Sequence, residues 1–332
     1  MTGSLILRDG SKFSQERKAS GYGDVVIAMK NRLKNPGRAS HIRKRVRLTL
    51  LILASVIAAF AVVAGISAIV CSFSLCVSEY DVKIDGIEHP FRAVLLTDLH
   101  DKQYGPDNER LLDRVRAQNP DVIFSVGDMI NEDASDEEVE RFVVLLTRLR
   151  EIAPVYVSYG NHEQKYLAGG GMDLAPRIEQ TGAVLLDETC VTAEIAGNTV
   201  CIGGTLGHLY PFGRSQEEFM DSPEVRLMRE MKASGLPTIV LAHLPDTIIF
   251  VEAYKEWDMD LFLSGHTHGG VIRLPFVGGL YAPMQGWLPE FDRGYFNPGK
   301  IQLIISGGLA GHGWIPRIFN RPEITVVDIH GS

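Results

Sequence analysis

Apolar positions divide the chain into three stretches. Residues 1–47 are polar, 48–78 contain no charged residue, and from about residue 90 short apolar runs alternate with amphipathic ones. The apolar runs at 91–97, 122–126, 155–158, 238–242 and 261–264 are short and bounded by Gly, Asp or Asn, which predicts buried strands. Helical spacing of apolar residues predicts helices over 108–118, 136–150, 173–181, 223–234 and 246–255. The runs 189–195 and 200–204 flank Ala196-Gly197-Asn198-Thr199 and predict a hairpin, and 302–305 and 324–328 add two late strands. Strand followed by helix, repeated without internal repeats, predicts a single α/β domain.

The uncharged stretch is long enough for a membrane span, since about 20 apolar residues cross the hydrocarbon core. A cleavable signal has a short leading region and an apolar core of about 7–15 residues before a small-residue cleavage site. Here 47 residues come first, and Val70-Cys71-Ser72-Phe73-Ser74 lacks that site, which predicts a retained anchor. Arg43, Lys44, Arg45 and Arg47 precede the stretch, and Glu79 and Asp81 follow it. Such a bias predicts a cytoplasmic N-terminus and an extracytoplasmic body at the cell membrane. The expected organisation is a disordered basic arm over 1–47, an anchor over 48–78 and a folded domain over 79–332.

Composition sharpens this division. The 332 residues include 4 Cys, which excludes a disulfide-stapled miniprotein. The net charge of −8 averages two unlike populations: residues 1–47 hold 12 basic and 3 acidic side chains, and the remainder 21 basic and 38 acidic. An acidic body repels phosphate backbones, so polymeric nucleic acid is not an expected partner. Pairing about Gly197–Asn198 puts Cys201 opposite Glu194, so no direct bridge to Cys190 is expected.

The strand ends carry the chemistry. The first five apolar runs lead into Asp98-Leu99-His100, Gly127-Asp128, Gly160-Asn161-His162-Glu163, His243 and Gly265-His266-Thr267-His268-Gly269-Gly270. In α/β sheets ligands bind outside the carboxyl ends of the strands, so five such ends converge on one place. Carboxylate, amide and imidazole together suit a dinuclear site for Zn, Mn or Fe. Five of the 10 histidines, at 100, 162, 243, 266 and 268, lie at these junctions. His208 and His312 sit in Gly-rich loops and are candidates to line the cleft.

In this order the motifs Asp-x-His, Gly-Asp, Gly-Asn-His-Glu, His and Gly-His-x-His resemble the calcineurin-like metallophosphoesterases, across about residues 90–330. The apolar anchor and the stretch from Gly307-Gly308-Leu309 to Arg321-Pro322-Glu323-Ile324 resemble the membrane-anchored bacterial branch. The resemblance implies an αββα sandwich of two mixed sheets and a dinuclear metal centre. It implies one metal held by Asp98, His100, Asp128 and His268, and a second held by Asp128, Asn161, His243 and His266. It also implies that His162 contacts the phosphate and assists the leaving group. Glu163 is read either as orienting a ligand imidazole or as a surface carboxylate. Val271 stands where many relatives have Gln.

The implied activity is metal-dependent hydrolysis of a phosphodiester, phosphomonoester or pyrophosphate. Some members of that branch, or its near relatives, act on UDP-diacylglucosamine or other lipid-linked phosphates. The expected phosphate-ester substrate therefore extends to lipid-linked and nucleotide ones, and hydrolysis of UDP-diacylglucosamine or another lipid-linked phosphate stands as an alternative reading. Segments 206–219, 280–296 and 309–319 are expected to set specificity. Their aromatics are Tyr210, Phe212, Tyr281, Trp287, Phe291, Tyr295, Phe296 and Trp314, with Arg214, Arg293, Arg317 and Arg321 as candidate phosphate contacts. Two further alternatives are a non-enzymatic envelope module that binds metal or phosphopolymer, and a reversed topology with the body in the cytoplasm.

Overall fold

The uncharged run forms most of one continuous α-helix, α1, Pro36–Phe73. Its stretch Ser40–Phe73 is long and apolar enough to cross a membrane. The computed structural model describes residues 36–207, 221–245, 249, 258–299, 301–313 and 315–332. Residues 1–35, helix candidate 246–255 apart from 249, His208, Tyr210, Phe212, Arg214 and Trp314 lie outside the described residues. The chain divides into two compact units, 1–63 and 64–332, and the second holds all the elements that follow α1.

The boundaries of the uncharged run differ from the expected anchor at both ends. Residues 36–47, expected in the irregular arm, are helical. At the other end the helix stops at Phe73, and the first strand, β1 (Cys76–Lys83), takes the last three uncharged residues. The cause is pairing: Cys76 N–H donates to Pro322 O at 2.8 Å, and β1 runs parallel to the final strand, Glu323–His330. Nothing in the polar sequence Cys-Val-Ser-Glu-Tyr-Asp-Val-Lys marks an isolated strand.

The remaining strands build two mixed six-stranded sheets. The first comprises, in spatial order, β1, β14 (Glu323–His330), β2 (Phe91–Leu96), β3 (Val122–Val126), β4 (Val155–Ser158) and β5 (Val184–Leu185). The second comprises, in spatial order, β12 (Gly294–Phe296), β13 (Gln302–Ile305), β9 (Leu261–Ser264), β8 (Thr238–Ala242), β7 (Asn198–Thr205) and β6 (Thr189–Ile195). Period-two alternation decides which side chain faces which layer. Ala93 and Leu95 join Ile202, Leu241 and Leu263 in a core between the sheets. Val94 and Leu96 face outward, where they pack with Val139, Leu145 and Leu149 of α3 (Asp136–Arg150) and with Leu111 and Val115 of α2 (Glu109–Arg116). On the far side of the second sheet, Val240, Phe262 and Leu303 meet Leu227, Met228 and Met231 of α6 (Pro223–Ser234). Helix, sheet, sheet and helix give the αββα sandwich. Ser135 caps α3 by accepting from the Glu138 N–H, and Glu138 accepts from the Ser135 N–H at 2.6 Å, so the helix start is marked in the sequence.

The hairpin turn sits one residue earlier than expected, which moves each cross-strand partner by two residues. Ala196 and Gly197, with φ of 49° and 84°, form a two-residue turn, and the closing pair is Ile195 with Asn198. Cys201 therefore faces Thr192, and Cys190 faces Gly203. Asn198 fixes this register, because its buried amide accepts the N–H groups of Glu88 and His89 at 2.8 and 3.0 Å. All four cysteines are free.

Candidate metal centre

The site lies where β2, β3 and β4 of one sheet and β8 and β9 of the other end. The chain leaves these strands abruptly. Asp98, His100, Asp128, His266 and His268 all have positive φ, between 47° and 69°. Non-glycine residues rarely adopt this region, at a cost of about 1 kcal/mol or more each. Cross-strand hydrogen bonds hold the turns: Asp98 N–H donates to Gly127 O, His100 N–H to Asp128 O and Gly265 N–H to His243 O, each at 3.1 Å. Two glycines are required by crowding. A Cβ at Gly160 would lie 2.2 Å from Asp128 Oδ1, and one at Gly265 would lie 2.1 Å from Thr97 Oγ1.

Asp128 sits at the middle of the cluster. Its Oδ2 is 3.1 Å from His243 Nε2, 3.7 Å from His100 Nε2 and 3.9 Å from His162 Nε2. On one side Asp98, His100 and His268 form a group able to hold a metal ion, and His268 Nε2 lies 3.7 Å from Asp98 Oδ1. On the other side Asp128, His243 and His266 form a second such group, and His100, Asp128 and His162 a third between them. The rings of His100 and His162 meet edge to face at 4.7 Å. Asn161 opens helix α4 (Asn161–Ala168) beside them.

The donor atoms pass a direct test of fit for metal. His100 Nε2, His243 Nε2 and Asn161 Oδ1 are buried without a hydrogen-bond partner. The 3.1 Å approach of His243 Nε2 to Asp128 Oδ2 is an ion-pair contact outside hydrogen-bond geometry, so that nitrogen has no hydrogen-bond partner. Unsatisfied buried polar atoms are costly, and a cation satisfies all of them at once. The far sides of three imidazoles are anchored: His243 Nδ1 to Val126 O at 2.8 Å, His268 Nδ1 to Ala310 O at 3.2 Å, and His100 Nδ1 to Asn131 Oδ1 at 3.0 Å. Such anchoring fixes ring orientation and the tautomer that leaves Nε2 free to ligate.

Burial sets the protonation pattern. It pushes His100 down to about 4 and His266 down to about 3, and holds His268 well below the usual range, which keeps these imidazoles neutral. Burial also opposes charge on Asp128, but His243, His100 and His162 outweigh it and keep that carboxyl well below the usual range. Asp98 is pushed up to about 7 by burial. Neutral imidazoles at His100, His266 and His268 beside an ionised Asp128 suit a divalent cation. Burial opposes charge on His243 as well, but Asp128 and Asp98 push it up to about 10, so it must release a proton to ligate.

Glu163 plays neither of the parts expected for it. Its buried carboxylate accepts four backbone N–H groups, from Asp128 at 2.8 Å, Met129 at 2.7 Å, Ile130 at 3.1 Å and Gly160 at 2.8 Å. It thus ties the β3 loop to the start of α4. Its position three residues after Gly160 is the capping-box spacing, a signal present in the sequence.

The three described arginines expected to contact phosphate are engaged elsewhere. Arg317 is only 4% exposed and donates to Gly307 O and Ala310 O. Arg321 donates to Ser74 Oγ and Leu75 O just past α1, and Arg293 pairs with buried Glu323 at 2.8 Å. Phe291 and Phe296 pack on the outer core of the second sheet, whereas Tyr281, Trp287 and Tyr295 are exposed. His312 does reach the cluster, with its ring 5.2 Å from His268.

Carboxylates and imidazoles gathered at strand ends in groups able to hold metal ions define a metallohydrolase type of centre. A family model for calcineurin-like phosphoesterases matches residues 91–270, and the chain belongs to that family. A Campylobacter jejuni metallophosphoesterase, Cj0846, is 28% identical over 77% of this chain, and the match spans 63% of that protein's length. Phosphodiesterase YaeI of Escherichia coli is 28% identical over 72% of this chain and 82% of its own. A Chlamydia muridarum protein named UDP-2,3-diacylglucosamine pyrophosphatase LpxG is 38% identical over 98 residues, 28% of this chain and 29% of its own.

Proposed function

We propose that the chain is a membrane-anchored, metal-dependent phosphoesterase with a dinuclear centre. The observation that carries this reading is the set of Nε2 atoms of His100, His162 and His243 within 3.9 Å of one Asp128 oxygen, together with unpartnered donors on His100, His243 and Asn161. Asp98, His100, Asp128 and His268 would hold one divalent cation and Asp128, Asn161, His243 and His266 the other, with Mn, Zn or Fe suited to these donors. When bound, such a pair lowers the pKa of water and neutralises phosphoryl charge.

The chain's own residues supply the rest. His162 is the most open of the imidazoles that approach the two carboxylates, with its side chain 23% exposed against 12% for His100, 2% for His268 and 0% for His243. It therefore faces arriving substrate, and its Nε2 donates a proton to the departing oxygen, a contribution of about 10²–10⁴-fold. The Asp128 Oδ1 accepts the His162 N–H at 2.9 Å, which fixes the backbone from which that imidazole projects. Hydrolysis of bis(p-nitrophenyl) phosphate should require added Mn²⁺ or Zn²⁺ and be lost in Asp128→Asn and His162→Ala. Activity that survives Asp128→Asn overturns the assigned centre.

The apolar helix and the similarity to a pyrophosphatase of a lipid-linked nucleotide favour a lipid-linked phosphate substrate. Turnover of UDP-diacylglucosamine in mixed micelles well above that of soluble diesters is the expected result. Equal rates on both would remove the lipid preference. The basic residues ahead of the helix favour a cytoplasmic N-terminus and an extracytoplasmic body. Protease digestion of the body in intact cells with a permeable outer layer tests that orientation.

A further inference from the structure

Outside α1, every described large apolar side chain that is more than half exposed lies between residues 276 and 288. These are Phe276 at 109%, Val277 at 58%, Met284 at 52%, Trp287 at 78% and Leu288 at 61%. So many exposed apolar groups in one short segment mark an interaction face. Phe276 and Val277 form the tip between β10 (Arg273–Leu274) and β11 (Gly278–Gly279).

The position of this tip along the apolar helix identifies its partner. About 20 helical residues at 1.5 Å each cover the hydrocarbon thickness of ~30 Å. Counted from Leu48, the first residue after Arg47, they end at Ser67. Ser67 Oγ accepts the Phe319 N–H at 2.7 Å. Ile318 is bridged to Ile272, and Arg273 N–H donates to Ile318 O at 2.9 Å, so the hairpin is stitched to the segment that touches Ser67. Phe319 and the hairpin, with Arg273, Leu274, Pro275 and Phe276, line one open depression.

Burial on the helix agrees. Ala64, Ser67, Ala68 and Cys71, spaced as one helical stripe, are partly or fully buried, while Ile66, Ile69 and Val70 stay exposed. The domain thus covers one side of the helix at the depth where hydrocarbon ends and leaves the other side for lipid. An amide in that zone needs a partner because water is scarce, and Ser67 supplies one for Phe319. Arg110 and Arg321 take the carbonyls of Phe73 and Leu75 further along, in the interfacial zone that suits guanidinium groups.

We propose that the 273–279 hairpin is a membrane-inserting element, with Phe276 and Val277 entering the bilayer interface beside Ser67. It rests on the anchored reading above and adds a second attachment to it. The same hairpin packs on the metal loop: a Cβ at Gly270, two residues past His268, would lie 2.4 Å from the Gly279 Cα. Insertion therefore holds the mouth of the metal centre at headgroup level, where a lipid-borne phosphate lies.

The test uses the full chain in phosphatidylethanolamine–phosphatidylglycerol vesicles, with photoreactive benzoylphenylalanine at position 276, 56 or 144 in separate samples. Mass spectrometry then reads lipid adducts. Position 56, in the apolar helix, reports the anchor, and Val144, on exposed α3, reports background. About tenfold more lipid adduct at 276 than at 144 is expected for an interfacial side chain. Adduct at 56 with only background at 276 overturns the insertion and leaves the anchor standing. No adduct at 56 overturns both, and adducts of 276 to a second copy of the chain instead of lipid overturn the insertion.

Discussion

The Glu163 Oε2 accepts the Asp128 backbone N–H at 2.8 Å, so the residue at the centre of the candidate metal cluster is held by a neighbouring buried carboxylate. Asp128 needs such support because it sits at φ 53°. The Glu163→Gln amide presents two N–H groups to backbone donors that need acceptors. Each buried donor left unpaired costs about 1–3 kcal/mol. Glu163→Gln should lower stability by at least that amount in urea denaturation and reduce metal occupancy measured by elemental analysis. Unchanged metal content would show that Glu163 supports the fold alone.

Arg317 bonds to Ala310 O, the same carbonyl that receives His268 Nδ1. Lysine keeps the charge but cannot donate in the guanidinium fork to both Gly307 O and Ala310 O. Arg317→Lys should therefore cost about 1–3 kcal/mol in stability. Metal affinity should weaken more than substrate KM rises, because the arginine acts through His268. A KM effect without loss of metal would restore it as a phosphate contact.

Gly160 has φ −100°, a value any residue adopts, so alanine there tests crowding alone. The added carbon would sit 2.4 Å from Asp128 N and 2.2 Å from its Oδ1. Gly160→Ala should destabilise the domain by about 1–3 kcal/mol in thermal or urea unfolding. A wild-type midpoint would show that the β3 loop yields at no cost.

Glu188, away from the cluster, is pushed up to about 7 by burial, with Glu224 and Asp187 adding to it. Its folded form holds a proton that the unfolded chain releases near the ordinary carboxylate value, about 4.3. That stability is present below the ordinary value and is lost as pH rises through about 7. Glu188→Gln cannot ionise, and its amide oxygen can still accept from Thr205. The variant should match wild type near pH 4.5 and exceed it by about 1–2 kcal/mol at pH 8, measured by denaturation at both values. Equal stability at both would show that Glu188 is well solvated.

Much of this protein was legible in the chain alone because its signals are local. A strand buried on both faces must be a continuous apolar run, and β3, β4, β8 and β9 have the bounds such runs predict. The metal-binding residue types at strand ends were visible for the same reason, since side chains there escape the apolar requirement. The capping signals of α3 marked its start.

What tertiary structure decided depends on partners remote in sequence. Strand β1 exists because Glu323–His330 lies beside it, so three uncharged residues go to a sheet and not to the helix. The hairpin register follows from Asn198 finding Glu88 and His89. Arg317 and Arg321 look like phosphate ligands by type, but their bonds to the carbonyls of Ala310 and Leu75 assign them to the scaffold. Glu163 shows the division most clearly. The sequence put a carboxylate at capping distance from Gly160, and only the approach of β3 to the start of α4 turned it into the support for Asp128. A residue's type determines which bonds it can form, and the fold determines which partner comes within 3 Å.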